Sequence, residues 1–298
     1  MTDWLAFLIL IVLYVGYSTQ TLVQSSRRFY DNKVHGVLLA LMLIVPFVLV
    51  GVGDGRSNPT AFLAGLGRMA VYLAVPSVAL VMRPKGAKSL HPLDIVAILA
   101  IWLPIEFDWL PQVSAHLGDG FDIPISLLTG VVLALVCFLV LRPLPMGYTF
   151  RLTGSDFGWA GRALVAYMII AIPLGLITRF LVVEVAPFNL FQWILAWPLG
   201  YLFTALPEEI LFRGIIQQMI QDRVKDERVA LGVASVIFGL AHLNNGTAGF
   251  PVPNWMYVMM ATLAGVAYGW TWQRTGKVTG SAVVHATVNY IWGILLGG

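Results

Sequence analysis

The sequence predicts an all-α protein: a polytopic transmembrane helical bundle of about ten helices (8–10). Of the 298 residues, 58% are hydrophobic and 11% charged, and the mean hydropathy is +0.82. That leaves too little polar surface to cover a soluble domain of this length. Apolar windows long enough to cross about 30 Å of hydrocarbon recur along the chain. The basic residues, finally, fall in alternate connections, as they do where positive loops stay on one side of a membrane.

Taken in order, the apolar windows place spans near 4–23, 36–52, 61–82, 93–110, 123–141, 163–183, 190–209, 229–243, 255–272 and 279–296. The first, in MTDWLAFLILIVLYVGYSTQTLV, carries an acid where a signal peptide carries bases. Its apolar run continues without a small-residue cleavage site, so it is expected to be a retained span. The fifth holds the one cysteine, Cys137, in VVLALVCFLV. A single thiol excludes an intramolecular disulfide framework and is expected to pack as a small hydrophobe. The eighth window is short, and the seventh could continue past Arg213 toward Asp222.

Fifteen of the eighteen Lys and Arg lie in the odd-numbered connections, among them Arg27, Arg28, Lys33, Arg83, Lys85, Lys88, Arg142, Arg151 and Arg162 in the first half. The second half adds Arg213, Arg223, Lys225, Arg228, Arg274 and Lys277, whereas the even connections hold Arg56 alone. The alternation supports ten spans with both termini outside. Arg68 and Arg179 fall inside spans. Arg179 is near enough to an end to snorkel, and Arg68 is expected to be a packed or ion-paired structural residue. The mild net charge of +3 does not imply nucleic acid. The connection at 142–161, RPLPMGYTFRLTGSDFGWAG, is rich in Gly and Pro and separates a five-helix region at 1–141 from a second membrane region at 162–298. Neither an internal repeat nor a low-complexity tract is visible, which disfavours an inverted-repeat transporter.

Three clusters in the second region put ionisable groups into apolar helices, where each costs at least about 2.5–3.5 kcal/mol on insertion scales: PEEILFR at 207–213, FGLAH at 238–242 and VVHATVN at 283–289. On a helix Glu209 and Arg213 are i and i+4, the favourable orientation for an ion pair. Glu208 then points about 100° away toward another partner, and Pro207 removes a backbone donor just before it. Folding helices seven and eight as an antiparallel hairpin about residue 225 brings His242 level with Glu208. His285 and Asn289, again four apart, leave helix ten on one side. Each group also has a bland reading: a packed histidine, interhelical glue, a structural ion pair. Shared depth in one half of the chain favours a common site. His35, His91 and His116 flank spans in polar loops. Glu106 and Asp108 sit among tryptophans near an outer interface and are expected to face water or headgroups.

Hydrolysis suits these groups. A carboxylate in an apolar setting can take a proton from water, making Glu208 a candidate general base with His242 holding the water. His285 and Asn289 can donate hydrogen bonds to an oxyanion. A zinc reading competes, with Glu208, His242 and His285 as alternative ligands. The absence of HExxH and the clamp-like spacing of Glu209 and Arg213 favour chemistry without a cofactor. Phe238, four residues before His242, can pack against its ring. Gly265 and Gly269 form a small-xxx-small pair suited to close helix approach.

The ordered set EExxxR (Glu208, Glu209, Arg213), FxxxH (Phe238, His242) and HxxxN (His285, Asn289) resembles the CPBP family of intramembrane proteases. This family is also called ABI and includes the type II CAAX prenyl endopeptidases. The resemblance covers about residues 190–292. It implies an all-helical membrane core and proteolysis within or at the edge of the bilayer. It also implies that Glu208 activates water with His242, and that His285 and Asn289 stabilise the oxyanion. Members of the family have carried a metalloprotease label as well as a glutamate-type one. The implied substrates are membrane-associated or lipidated proteins and peptides, through CAAX-type or leader-peptide processing. The expected setting is a prokaryotic plasma membrane, and the basic loop of Arg274 and Lys277 at the inner end of helix ten puts the approach to the site on the cytoplasmic side. From a different class, the rival reading is a non-catalytic transporter, immunity or scaffold protein that binds a ligand or partner with the same polar cluster. A transporter would be expected to carry polar groups in both halves.

Overall fold

The structure, a computed structural model, describes residues 1–30, 32–55, 58–84, 86, 90–118 and 121–297. Arg56, Lys85 and Lys88 lie outside the described residues. The chain forms two compact units, Met1–Leu144 and Pro145–Gly298. Both are built almost entirely of helices, with two short two-stranded ribbons. Among the described residues three helical stretches are long and apolar enough on their own to cross a membrane: Lys33–Val52, Pro59–Met82 and Gly154–Ile177. A bent pair at the N-terminus makes a fourth. The protein is an integral membrane protein of the all-α class, and most of its expected spans are shorter or more interrupted than the apolar windows suggest.

In the first unit, α1 (Thr2–Gly16) ends well before the expected residue 23. The polar run at 18–20 cannot prolong an apolar helix. Thr19 instead starts α2 (Gln20–Phe29) by accepting a hydrogen bond from the Leu22 amide, and the chain turns through 104°. Helices α3 (Lys33–Leu41), α4 (Ile44–Gly55), α5 (Pro59–Met82) and α6 (Pro92–Glu106) follow. The hairpin of β1 (Ser114–His116) and β2 (Asp122–Pro124) then leads into α7 (Ile125–Leu135), which runs on as a π-helical turn to Leu141. From Ile125 to Leu141 every residue but Leu127 is buried, Cys137 included. A stretch that is apolar all round is thus the centre of the unit.

The bases of three odd connections collect at one end of this unit. Arg27 donates twice to the Leu139 carbonyl, at 2.7 and 3.0 Å. Arg83 and Arg142 approach the buried Asp94 carboxylate at 3.0 and 3.5 Å. Their convergence is what the charge alternation anticipates. Arg68, by contrast, is exposed and donates to the Trp109 carbonyl at 3.2 Å. Glu106 accepts from the Trp102 indole at 3.2 Å, and Asp108 is exposed.

The second unit opens with an extended strap at 145–153. Helix α8 (Gly154–Ile177) starts eight residues before 162 because Thr153 and Asp156 form a reciprocal capping box. The strap is clipped to the rest of the unit. Trp272 donates to the Met146 carbonyl at 3.2 Å and Thr279 to that of Thr149 at 2.5 Å. Lys277 reaches both the Arg151 carbonyl at 3.0 Å and Asp156 at 2.7 Å. Gly147 has a φ of 67°, and a Cβ on it would stand 1.7 Å from the Gly276 carbonyl oxygen. Gly147→Ala is therefore expected to cost about 3 kcal/mol, combining left-handed strain with overpacking. A lowered thermal midpoint by tryptophan fluorescence checks it.

Next come β3 (Val182–Val183), paired with β4 (Leu296–Gly297), and a long rod over 190–224. The rod comprises α9 (Leu190–Gly200), a π turn at Tyr201–Ala205, the single turn α10 (Leu206–Glu209), a second π stretch at Ile210–Gln217, and α11 (Gln218–Val224). Helices α12 (Glu227–Leu240), α13 (Trp255–Thr275) and α14 (Val278–Leu295) complete the unit. The α12–α13 seam is the closest. A Cβ on Gly239 would meet the Val258 carbonyl at 2.6 Å, and one on Gly265 would meet Ser235 Cα at 3.1 Å. Gly269 faces Gln217 and Leu231, both within 2.5 Å of an added Cβ.

Candidate active site

The two glutamates stand on α10, between two π-helical stretches. Pro207 has no N–H to return to the preceding turn, and the widened turns on either side are of the kind found at functional sites. From this one helical turn the carboxylates diverge. Glu209 is fully buried and works as a hub. Its Oε1 accepts from His285 Nδ1 at 2.9 Å, and its Oε2 lies 2.5 Å from Ser281 Oγ and 3.2 Å from Arg213 Nε. Glu208 is one-third exposed, and its Oε2 lies 3.8 Å from His285 Nε2. That oxygen is sheltered yet accepts no hydrogen bond from any described residue.

Arg213 is also fully buried. It is within ion-pair distance of Glu209 but out of line for a hydrogen bond, and its charge sits over the rings of Phe238, at 4.9 Å, and Tyr268, at 5.8 Å. Counted among the loop bases in the charge alternation, it carries no topological information from this position.

Phe238 ties the three motifs together. Its ring contacts His242 at 4.8 Å and His285 at 5.7 Å between centroids, in addition to Arg213. His285 stacks almost flat on Tyr268, at 4.4 Å and 15°. His242, just past the end of α12, donates from Nδ1 to the Phe238 carbonyl at 2.9 Å. A carbonyl only accepts, so the neutral ring keeps its proton on Nδ1 and leaves Nε2 as an acceptor. The His242 ring also packs against Tyr257, with 4.9 Å between ring centroids.

The structure thus brings Glu208, Glu209, Arg213, Phe238 and His285 together, with His242 joined through Phe238 and Tyr257. The direct neighbour of Glu208 is His285, where the hairpin argument expects His242. Asn289 is exposed, one turn beyond His285, on the wall of a cavity of about 160 Å³ also lined by Trp193, Ala196, Gly200 and Tyr290. No hydrogen bond joins it to a described residue.

Ser281, Tyr268 and Tyr257 were not singled out by the sequence. Ser281 could have been, since Ser281, His285 and Asn289 repeat at intervals of four along α14. The tyrosines carry no such signal, because aromatics on membrane helices are ordinary packing. As for zinc, no three His, Cys, Asp or Glu among the described residues are placed to share a metal ion. Of the alternative ligands, Glu208 and His285 approach to 3.8 Å, and His242 does not complete a group of three with them.

Residues 190–291 match the family model described as Rce1-like, type II CAAX prenyl endopeptidase. This segment is related to the CAAX-type proteases. It holds the rod, α12, α13 and most of α14, and so every residue of the site just described. Neither the curated proteins nor the solved structures give a match. With its apolar helices, the chain is an integral membrane protein whose second unit contains a segment similar to the type II CAAX prenyl endopeptidases.

Proposed function

We propose that the protein hydrolyses peptide bonds of membrane-associated or lipidated substrates with a water activated by Glu208. The observation that carries this reading is the placement of Glu208 Oε2. It is sheltered and without a hydrogen bond from any described residue, 3.8 Å from His285 Nε2, while the other nitrogen of that ring is held by Glu209. The gap between Glu208 Oε2 and His285 Nε2 suits one bridging water.

Glu208 takes a proton from that water, whose oxygen attacks the scissile carbonyl, while the bare Nε2 of His242 accepts a hydrogen bond from the remaining proton. The oxyanion draws hydrogen bonds from Asn289 and from His285. Because Nδ1 of His285 is committed to Glu209, donation to the oxyanion from this ring requires a proton on Nε2 as well. On collapse the C–N bond breaks and the proton on Glu208 passes to the leaving nitrogen. No step is routed through a metal.

The relationship to CAAX endopeptidases and the apolar surroundings make a prenylated C-terminal peptide the first substrate to try. An apolar leader peptide is the second. The clustered basic ends support an orientation in which the substrate arrives from the cytoplasmic side and both termini lie outside. The test uses full-length protein in nanodiscs with a quenched-fluorescence peptide ending in a farnesylated cysteine and three further residues, its unprenylated twin, and an apolar leader peptide. Cleavage of at least one, unchanged by o-phenanthroline and EDTA, is the expected result. No cleavage of any, or a loss of more than about tenfold with chelator that zinc restores, would overturn the reading or its metal-free form respectively.

A further inference from the structure

We propose that a file of bound water occupies the seam along Arg213, Gln217 and Gln221 and supplies the reacting water to Glu208 from behind. The proposal rests on the hydrolytic reading for its purpose, and on polar atoms for its existence.

Glu209, Arg213, Gln217 and Gln221 follow one another at intervals of four along the rod, over about 18 Å at an α-helical rise. Arg213 and Gln217 are fully buried, and Gln221 is half-buried, near the basic turn of Arg223 and Lys225. All three guanidinium nitrogens of Arg213, Oε1 of Gln217, Oε1 of Gln221 and Oε2 of Glu208 are sheltered, and none has a hydrogen-bond partner among the described residues. Each such atom is expensive to bury without a partner, and more so where charged. Phe238 and Tyr268 attract the charge of the guanidinium but do not satisfy its five N–H donors. A run of orphaned donors and acceptors in one seam is what ordered water satisfies in protein interiors.

The far wall of the seam is the backbone at Gly269. Gln217 Nε2 donates weakly, at 3.4 Å, to the Gly269 carbonyl, and a side chain on Gly269 would press into Gln217 Oε1. Every bond cut consumes one water. A substrate lying over the exposed third of Glu208 covers the face through which bulk water would otherwise replace it. The proposed file runs along the rod from Gln221, near the basic turn, to the glutamate pair.

The experiment is hydroxyl-radical labelling by X-ray radiolysis on the full chain in nanodiscs, after millisecond mixing into H₂¹⁸O. The reporter is Tyr268, 1% exposed and next to Arg213. Bulk solvent does not reach it, whereas water in the seam does. The wild type is expected to label at Tyr268 with ¹⁸O. Gln217→Leu, and separately Gln221→Leu near the surface, are expected to lower that label about fivefold and kcat about tenfold, with KM unchanged. An unlabelled Tyr268 in the wild type, or labelling unaffected by both substitutions, overturns the water file. Lost labelling with unchanged kcat overturns its supply role. Because labelling needs no substrate, a labelled seam in a chain that cleaves nothing would count against proteolysis and leave the water file standing.

Discussion

Glu208→Gln is expected to leave the protein at wild-type abundance while lowering cleavage per folded molecule by about 10²–10⁴, the usual contribution of a positioned general base. The substitution keeps the shape of the side chain and removes only its ability to take a proton. Its cost in stability should stay within about 0.5 kcal/mol, because Glu208 is one-third exposed and no hydrogen bond from a described residue depends on its Oε2. Turnover of the cleavable peptide, together with mapping of new peptide ends in membrane fractions at matched expression, reads both halves of the expectation. Activity within threefold of wild type would remove Glu208 from the chemistry. Identical sets of termini from wild type and variant would favour the ligand- or partner-binding alternative.

The neighbouring pair should behave in the opposite way. Arg213→Leu strands Glu209, a carboxylate with no exposure whose other partners are His285 and Ser281. Removing one member of a buried ion pair costs about 3–5 kcal/mol, a large part of the stability of an ordinary domain. Folded protein in the membrane, measured by fluorescence-detected size exclusion, should fall sharply. Adding Glu209→Gln removes the stranded charge and should restore accumulation. It should not restore cleavage, because His285 then loses the carboxylate that holds its Nδ1. A single variant that accumulates and cleaves normally would make the ion pair dispensable. A double variant that recovers full activity would separate Glu209 from the orientation of His285.

These expectations show what kind of information the sequence carried. The ion pair of Glu209 and Arg213 was legible because a four-residue interval on a helix determines which side chains meet, and it survives the π-helical distortion at 3.2 Å. The meeting of the three motifs was legible because ionisable groups in an apolar segment must find each other. The particular neighbour of Glu208 was not. Matching depths in a hairpin assumes straight helices, and the rod is widened by two π stretches on either side of the glutamates while α12 ends at Leu240, before His242. Asn289 also departs from expectation: a shared face on α14 puts it in line with His285, yet of the two only His285 reaches the glutamates. The broken first span escaped because hydropathy averages over a window and does not register a single capping threonine at residue 19.

The clipped strap sets where the second unit can be cut loose for study. A truncation starting at residue 162 or 190, where apolarity or the family match begins, would delete the carbonyls of Met146, Thr149 and Arg151 and the carboxylate of Asp156. Trp272, Thr279 and Lys277 would then be left as donors without acceptors, at the turn that launches α14. A fragment that is to keep these contacts has to begin at Pro145, so that it includes the nine residues before α8, which contain no helix.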